Sequence, residues 1–265
     1  MAIPREHGAW GMLLLPLATG AVVAIGSGVN WEAVTLFLAA ALSLFWLRTP
    51  VEAWLGTSAI KAQTPLERSK VIAVSMTIAV ISATAVTTLF LIGYSRGLLI
   101  IGIVAAMAFT VQAAVKKLGR CGRMPAQVIG AVGLTSTAAG AYYVSTGRLD
   151  RIAIALWVAN WLFAGDQIHF VQVRIHSSRA ASLNEKMRQG YTFLVGQIVL
   201  LGVVIALCRL HFFPGAVVLA FIPVLLRGSL WFLCGRQSLN VHQLGLMELA
   251  HTLVFGALLC AAYLN

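Results

Sequence analysis

Carboxylates are the scarcest chemistry in this chain: eight Asp and Glu stand against nineteen Lys and Arg in 265 residues. Charged residues of both signs make up only 10%. A soluble domain carries roughly 25%, because its surface must face water. That shortage excludes an ordinary soluble globular protein. It leaves lipid as the solvent for most of the surface. No polar stretch is long enough to form a separate soluble domain, so residues 1–265 read as a single transmembrane helical domain. Cysteine is sparse too. Cys121, Cys208, Cys234 and Cys260 are scattered without a CxxC pair. This excludes a disulfide framework and the usual zinc spacings, and leaves small buried hydrophobes. Aromatic-interleaved basic faces are missing as well. The net charge of +11 therefore points to membrane orientation and anionic lipid, and nucleic acid is not an expected partner. The N-terminal charges are mixed and lead straight into a spanning-length run, unlike a cleavable signal.

What the chain has is apolar length. Hydrophobic residues make up 60%, and the mean hydropathy is +0.89. A spanning helix takes about 20 mostly apolar residues. On that criterion about nine segments are expected, near 9–28, 32–56, 71–93, 97–115, 124–145, 150–173, 190–208, 213–234 and 242–264. The fold class is thus all-α, a polytopic membrane helix bundle. Threaded alternately, the nine segments leave fifteen of the nineteen Lys and Arg on one side. Only Arg96, Arg148, Arg151 and Arg209 fall on the other. The positive-inside rule then places the N-terminus in the cytoplasm and the C-terminus outside, with the inner (plasma) membrane as the setting. The connections 57–70 and 174–189 are the long ones, both on the inner side, and long loops tend to carry function.

Ionisable groups inside a bilayer are costly and usually face a bundle interior. Glu52 follows Arg48 by one turn, with Pro50 between them. Asp166, Gln167 and His169 lie near the inner end of the sixth segment, with Arg174 beyond them and Asn160 one heptad before Gln167. Arg227 lies in the eighth segment, Glu248 and His251 in the ninth, and Glu6 and His7 open the first. Arg48, Arg174 and Arg227 also suit interfacial anchors, and His7 and His251 suit satisfied packing residues. Yet all of these groups fall at one depth, and the outer half has no comparable set. One polar, cytoplasm-facing cavity walled by segments one, two, six, eight and nine is expected. Trp161, near Asp166, is a candidate for its wall.

The stretches PREHGAWGMLLLPL, LFWLRTPVEAWL, VQVRIHSSR and Gly245–Glu248 resemble the YwiC-like bacterial membrane family, related to the UbiA superfamily of intramembrane prenyltransferases. The resemblance implies a UbiA-like bundle and a transferase acting on a lipid-soluble isoprenoid or quinone-like substrate. It also implies Mg²⁺ held by Asp-rich motifs on the second and sixth helices. Here those motifs read Arg48-Thr-Pro-Val-Glu52, and Asp166 followed by Gln172, Arg174 and His176. One carboxylate per motif is thin for two Mg²⁺ ions, so no metal ligands are assigned and the cofactor is left unknown. Arg and His bind phosphate or carboxylate directly. On this reading Asp166, Glu52 and His169 supply acid–base chemistry, and Arg48, Arg174, Glu248, His251, Arg227, His7, Gln167 and Asn160 bind substrate. Three classes stay open: an enzyme on a lipid-soluble substrate, a transporter or lipid- or cofactor-binding factor, and a non-catalytic assembly factor. The polar-free outer half and the lack of internal repeats argue against a transporter.

Overall fold

A computed structural model describes residues 7–54, 65–119, 122–177, 182–233 and 240–264. Ten α-helices account for nearly all of them: α1 (His7–Val23), α2 (Trp31–Trp54), α3 (Pro65–Leu89), α4 (Ser95–Lys116), α5 (Arg123–Thr135), α6 (Thr137–Thr146), α7 (Arg151–His176), α8 (Leu183–Arg209), α9 (Val217–Leu233) and α10 (Val241–Leu264). No strand occurs among the described residues. Among the described residues, five stretches are long and apolar enough to cross a membrane: Gly8–Ser27, Trp31–Arg48, Val71–Lys116, Asn184–Arg209 and Val241–Leu264. Val217–Leu233 is apolar but shorter. The protein is therefore a multi-pass membrane helix bundle. Among the described residues, each of the nine expected segments falls mainly on helix. Val71–Lys116 runs through α3 and α4, and the fifth segment is two short helices. α7 is long but dilutes its apolar run with Asn160, Asp166, Gln167, His169 and Gln172.

Local chemistry explains the boundaries. α3 and α4 meet in a π-helical turn, Phe90–Tyr94, where Gly93 takes φ 106°, a conformation open to glycine. Thr135, Ser136 and Thr137 each turn a hydroxyl back on a carbonyl three or four residues earlier, which divides α5 from α6. Asn30, Asp150 and Asn240 cap α2, α7 and α10 through their side-chain oxygens. α8 starts at Leu183, well inside the connection expected over 174–189. Ser182 Oγ accepts from the Glu185 amide at 3.2 Å, and the Ser-Leu-Asn-Glu spacing is that of a capping box. Ser182→Ala is expected to cost about 1 kcal/mol of local stability. Hydrogen exchange should show faster exchange at residues 183–186 and unchanged protection in mid-helix; equal exchange at both would contradict the cap.

α6 is the centre of the bundle. Residues Thr137 to Ser145 are all buried, as small side chains there let four helices approach closely. α1 crosses α6 at Gly20, where a Cβ would overlap the Ala138 carbonyl oxygen. Gly140 gives its face to the Phe37 ring of α2, and the Tyr143 hydroxyl oxygen accepts from the Gly97 amide of α4 at 3.2 Å. α2 packs mainly along α3 and also against α6, whereas α7, α8, α9 and α10 pack in sequence, with α10 returning to α1. Large side chains such as Met76 (65% exposed) and Ile198 (74%) face outward. A soluble monomer rarely shows so much contiguous apolar surface; hydrocarbon suits it.

Candidate functional site

The helices α7, α8, α9 and α10 enclose a charged cluster. Arg227 of α9 reaches Asp166 Oδ2 of α7 at 2.7 Å through one terminal nitrogen. Its other terminal nitrogen pairs with Glu248 of α10. The three side chains are almost wholly buried, at 4%, 3% and 9% exposure, so water does not screen them. Gln197 of α8 donates to the second Asp166 oxygen. The Phe170 ring lies 4.1 Å beneath the guanidinium. Gln167 ties the cluster to α10 by donating to the Glu248 carbonyl at 3.2 Å and to Thr252 Oγ1 at 2.9 Å. Gly228 lets this assembly close: a Cβ there would crowd Phe193 and Gln197 of α8.

Four residues expected from the sequence thus meet: Asp166, Gln167, Arg227 and Glu248. The others fall elsewhere. Asn160, about 9 Å further along α7 at 1.5 Å per residue, donates to Thr19 Oγ1 of α1 at 3.2 Å and to the Leu156 carbonyl at 2.8 Å. His251 sits on its own helix, Nδ1 2.7 Å from the Met247 carbonyl. Arg174 lies 5.6 Å from the Trp231 ring centre and within electrostatic reach of Glu248. Arg48 lies on α2, which packs chiefly on α3 and α6 and meets α1 where Trp10 lies against Phe45 and Trp46; none of these helices holds a member of the cluster. The side chains of Glu52 and His7 lie outside the described residues. Trp161 donates to the Val128 carbonyl at 3.1 Å and packs between α7 and α5. The sequence reading missed Gln197 and Thr252. Gln197 stands alone in an apolar run, the same signal that marks Asp166, but a neutral amide draws less notice than a charge.

His169 lies one turn beyond Asp166, outside the hydrogen-bonded cluster. Its ring meets Phe193 edge-on at 5.2 Å and lines an open cleft of about 570 Å³ between α5, α7 and α8. Arg123, Gln172, His176, Gln189 and Thr192 supply its other polar groups, and Met124 and Val173 give an apolar wall. Gln172 donates to Gln127 at 3.1 Å, holding α7 against α5. His176 Nδ1 lies 2.7 Å from the Gln172 carbonyl, which fixes its ring. The volume lies in the range of small-molecule sites, roughly 300–1,000 Å³. Among the described residues no three His, Cys, Asp or Glu side chains converge as metal ligands.

The family model described as YwiC-like protein matches residues 3–143, ending within α6 and short of Asp166, Arg227 and Glu248. No curated protein and no solved structure matches the chain. The family match covers more than half of the sequence and agrees with the motif PREHGAWGMLLLPL near its start; the chain belongs to the YwiC-like family.

Proposed function

We propose that this membrane protein binds a lipid-soluble molecule, isoprenoid or quinone-like, by its polar head, with the tail left among the helices and lipid. The observation that carries this is the cleft beside His169: a polar mouth backed by Met124 and Val173, in a bundle whose outward surface is largely apolar. The charged cluster next to it serves as the brace that fixes α7 and α8, the two walls of the cleft. On the positive-inside argument the cleft faces the cytoplasm of a bacterial cell.

The UbiA-type resemblance implies Mg²⁺, and the described residues do not fit it. Asp166 spends both oxygens on Arg227 and Gln197, and Glu248 is paired with the same Arg227. A guanidinium stands between the two carboxylates, where a cation bound by both would have to sit. A transferase reading draws instead on His169, the expected acid–base group that reaches the cleft.

Met124→Trp fills the cleft from its apolar side. Binding of an added fluorescent isoprenoid alcohol or short-tailed quinone to the detergent-solubilised protein is expected to fall about tenfold, equivalent to about 1.4 kcal/mol. EDTA should leave wild-type binding unchanged. Equal binding by the two proteins would remove the cleft as the site.

A further inference from the structure

We infer that the head received by this cleft is an anionic phosphate ester, held without a metal. The inference rests on the reading of the cleft as a lipid-head site. Three basic side chains, Arg123, His169 and His176, line it together with the hydrogen-bonding side chains of Gln172, Gln189 and Thr192, and among the described residues no carboxylate does. In a chain with so few carboxylates that alone would say little. Here, however, the two buried carboxylates nearby are paired with a cation. Asp166 and Glu248 are turned into the bundle onto Arg227, and Glu185, one turn before Gln189 on α8, accepts the Gln189 amide at 3.3 Å.

The backbone adds to this sign. α5 opens at Arg123 after Gly122, with no capping side chain and no acidic residue in its first turn. Its first amides and positive dipole end lie where Arg123 and Met124 enter the cleft wall. The C-terminal turn of α7 has the opposite polarity, and the basic residues in that turn, Arg174 and His176, offset it. A neutral quinone carbonyl accepts ordinary hydrogen bonds from one or two such groups, whereas an anionic phosphate monoester has oxygens enough to take charge-assisted bonds from all three. The cleft is also much larger than a bare phosphate ion, and its Met124 and Val173 wall suits the first carbons of a lipid chain. This favours a lipid phosphate over free phosphate as the source.

The full-length chain in detergent micelles, with EDTA present, is titrated separately with dioleoyl phosphatidic acid, dioleoylglycerol, inorganic phosphate and a neutral short-tailed quinone. Phosphatidic acid and dioleoylglycerol differ only in the phosphate. The phosphate is expected to tighten binding at least about tenfold, the equivalent of one charge-assisted hydrogen bond. Arg123→Gln and His176→Gln, both exposed side chains, should each cut that preference to about threefold or less, with unchanged thermal unfolding. Arg209→Gln, at the other end of α8, should leave it intact. Equal binding of phosphatidic acid and dioleoylglycerol overturns the inference; if the quinone still binds, the reading of a lipid-head site stands. Binding of none of the lipids overturns both. Inorganic phosphate binding as tightly as phosphatidic acid supports phosphate recognition but makes the free ion the source.

Discussion

Arg227→Met is expected to destabilise the protein by roughly 3–5 kcal/mol, the cost of leaving a buried charge without its partner. The substitution strands two carboxylates, Asp166 and Glu248, with side chains 3% and 9% exposed. Methionine nearly matches the stem of arginine, so little of the loss should come from packing. The readout is thermal unfolding in detergent, and a fall of several degrees is expected. The triple variant Arg227→Met, Asp166→Asn, Glu248→Gln should recover much of the loss, because it removes all three charges at once. A single variant that unfolds with the wild type, or a triple variant worse than the single, would mean that the charges are not coupled.

Gly20→Val is the second large effect. The new side chain has to enter where the Ala138 carbonyl oxygen of α6 already sits, and backbone cannot swing aside as a flexible side chain can. Overpacking costs typically about 1–3 kcal/mol, and the upper end is expected here because α6 is buried along its whole length. The α1–α6 contact also places Thr137, whose hydroxyl donates to the Leu13 carbonyl at 2.8 Å. Gly26→Val, in the 3₁₀ turn after α1 where nothing lies within 4 Å, is the matched control. Folded yield and unfolding temperature should drop for Gly20→Val and hold for Gly26→Val; equal behaviour would argue against close α1–α6 packing.

The membrane character and helical class were legible because both rest on composition and on apolar run length. Helix starts were less so. A hydropathy criterion finds the part of a helix that sits in hydrocarbon, and α3 and α8 extend beyond it into polar sequence, from Pro65 and Leu183. The Ser182–Glu185 capping box was available as a local signal. The break at Thr135–Thr137 depends on hydroxyls choosing carbonyls over solvent, which small residues alone do not announce.

The candidate site divides in the same way. Asp166, Arg227 and Glu248 share one depth and cannot stay unpaired in a bilayer, so their meeting follows from burial cost. Depth does not fix direction around the bundle, however. Arg48 was grouped with them by depth, yet α2 turns toward α3 and α6. His169, one turn from Asp166 on the same side of α7, stays out of the cluster and lines the cleft instead. The cleft itself needs the start of α5 to dock beside α7 and α8, a long-range arrangement that no local pattern encodes.

Mass spectrometry of the lipid extracted from the purified protein tests the proposed function most directly. The wild type should carry one isoprenoid or quinone-like species enriched over the surrounding lipid, and Met124→Trp, prepared in parallel, should lose it. The same bulk lipid from both proteins, with no enriched species in the wild type, would contradict the account.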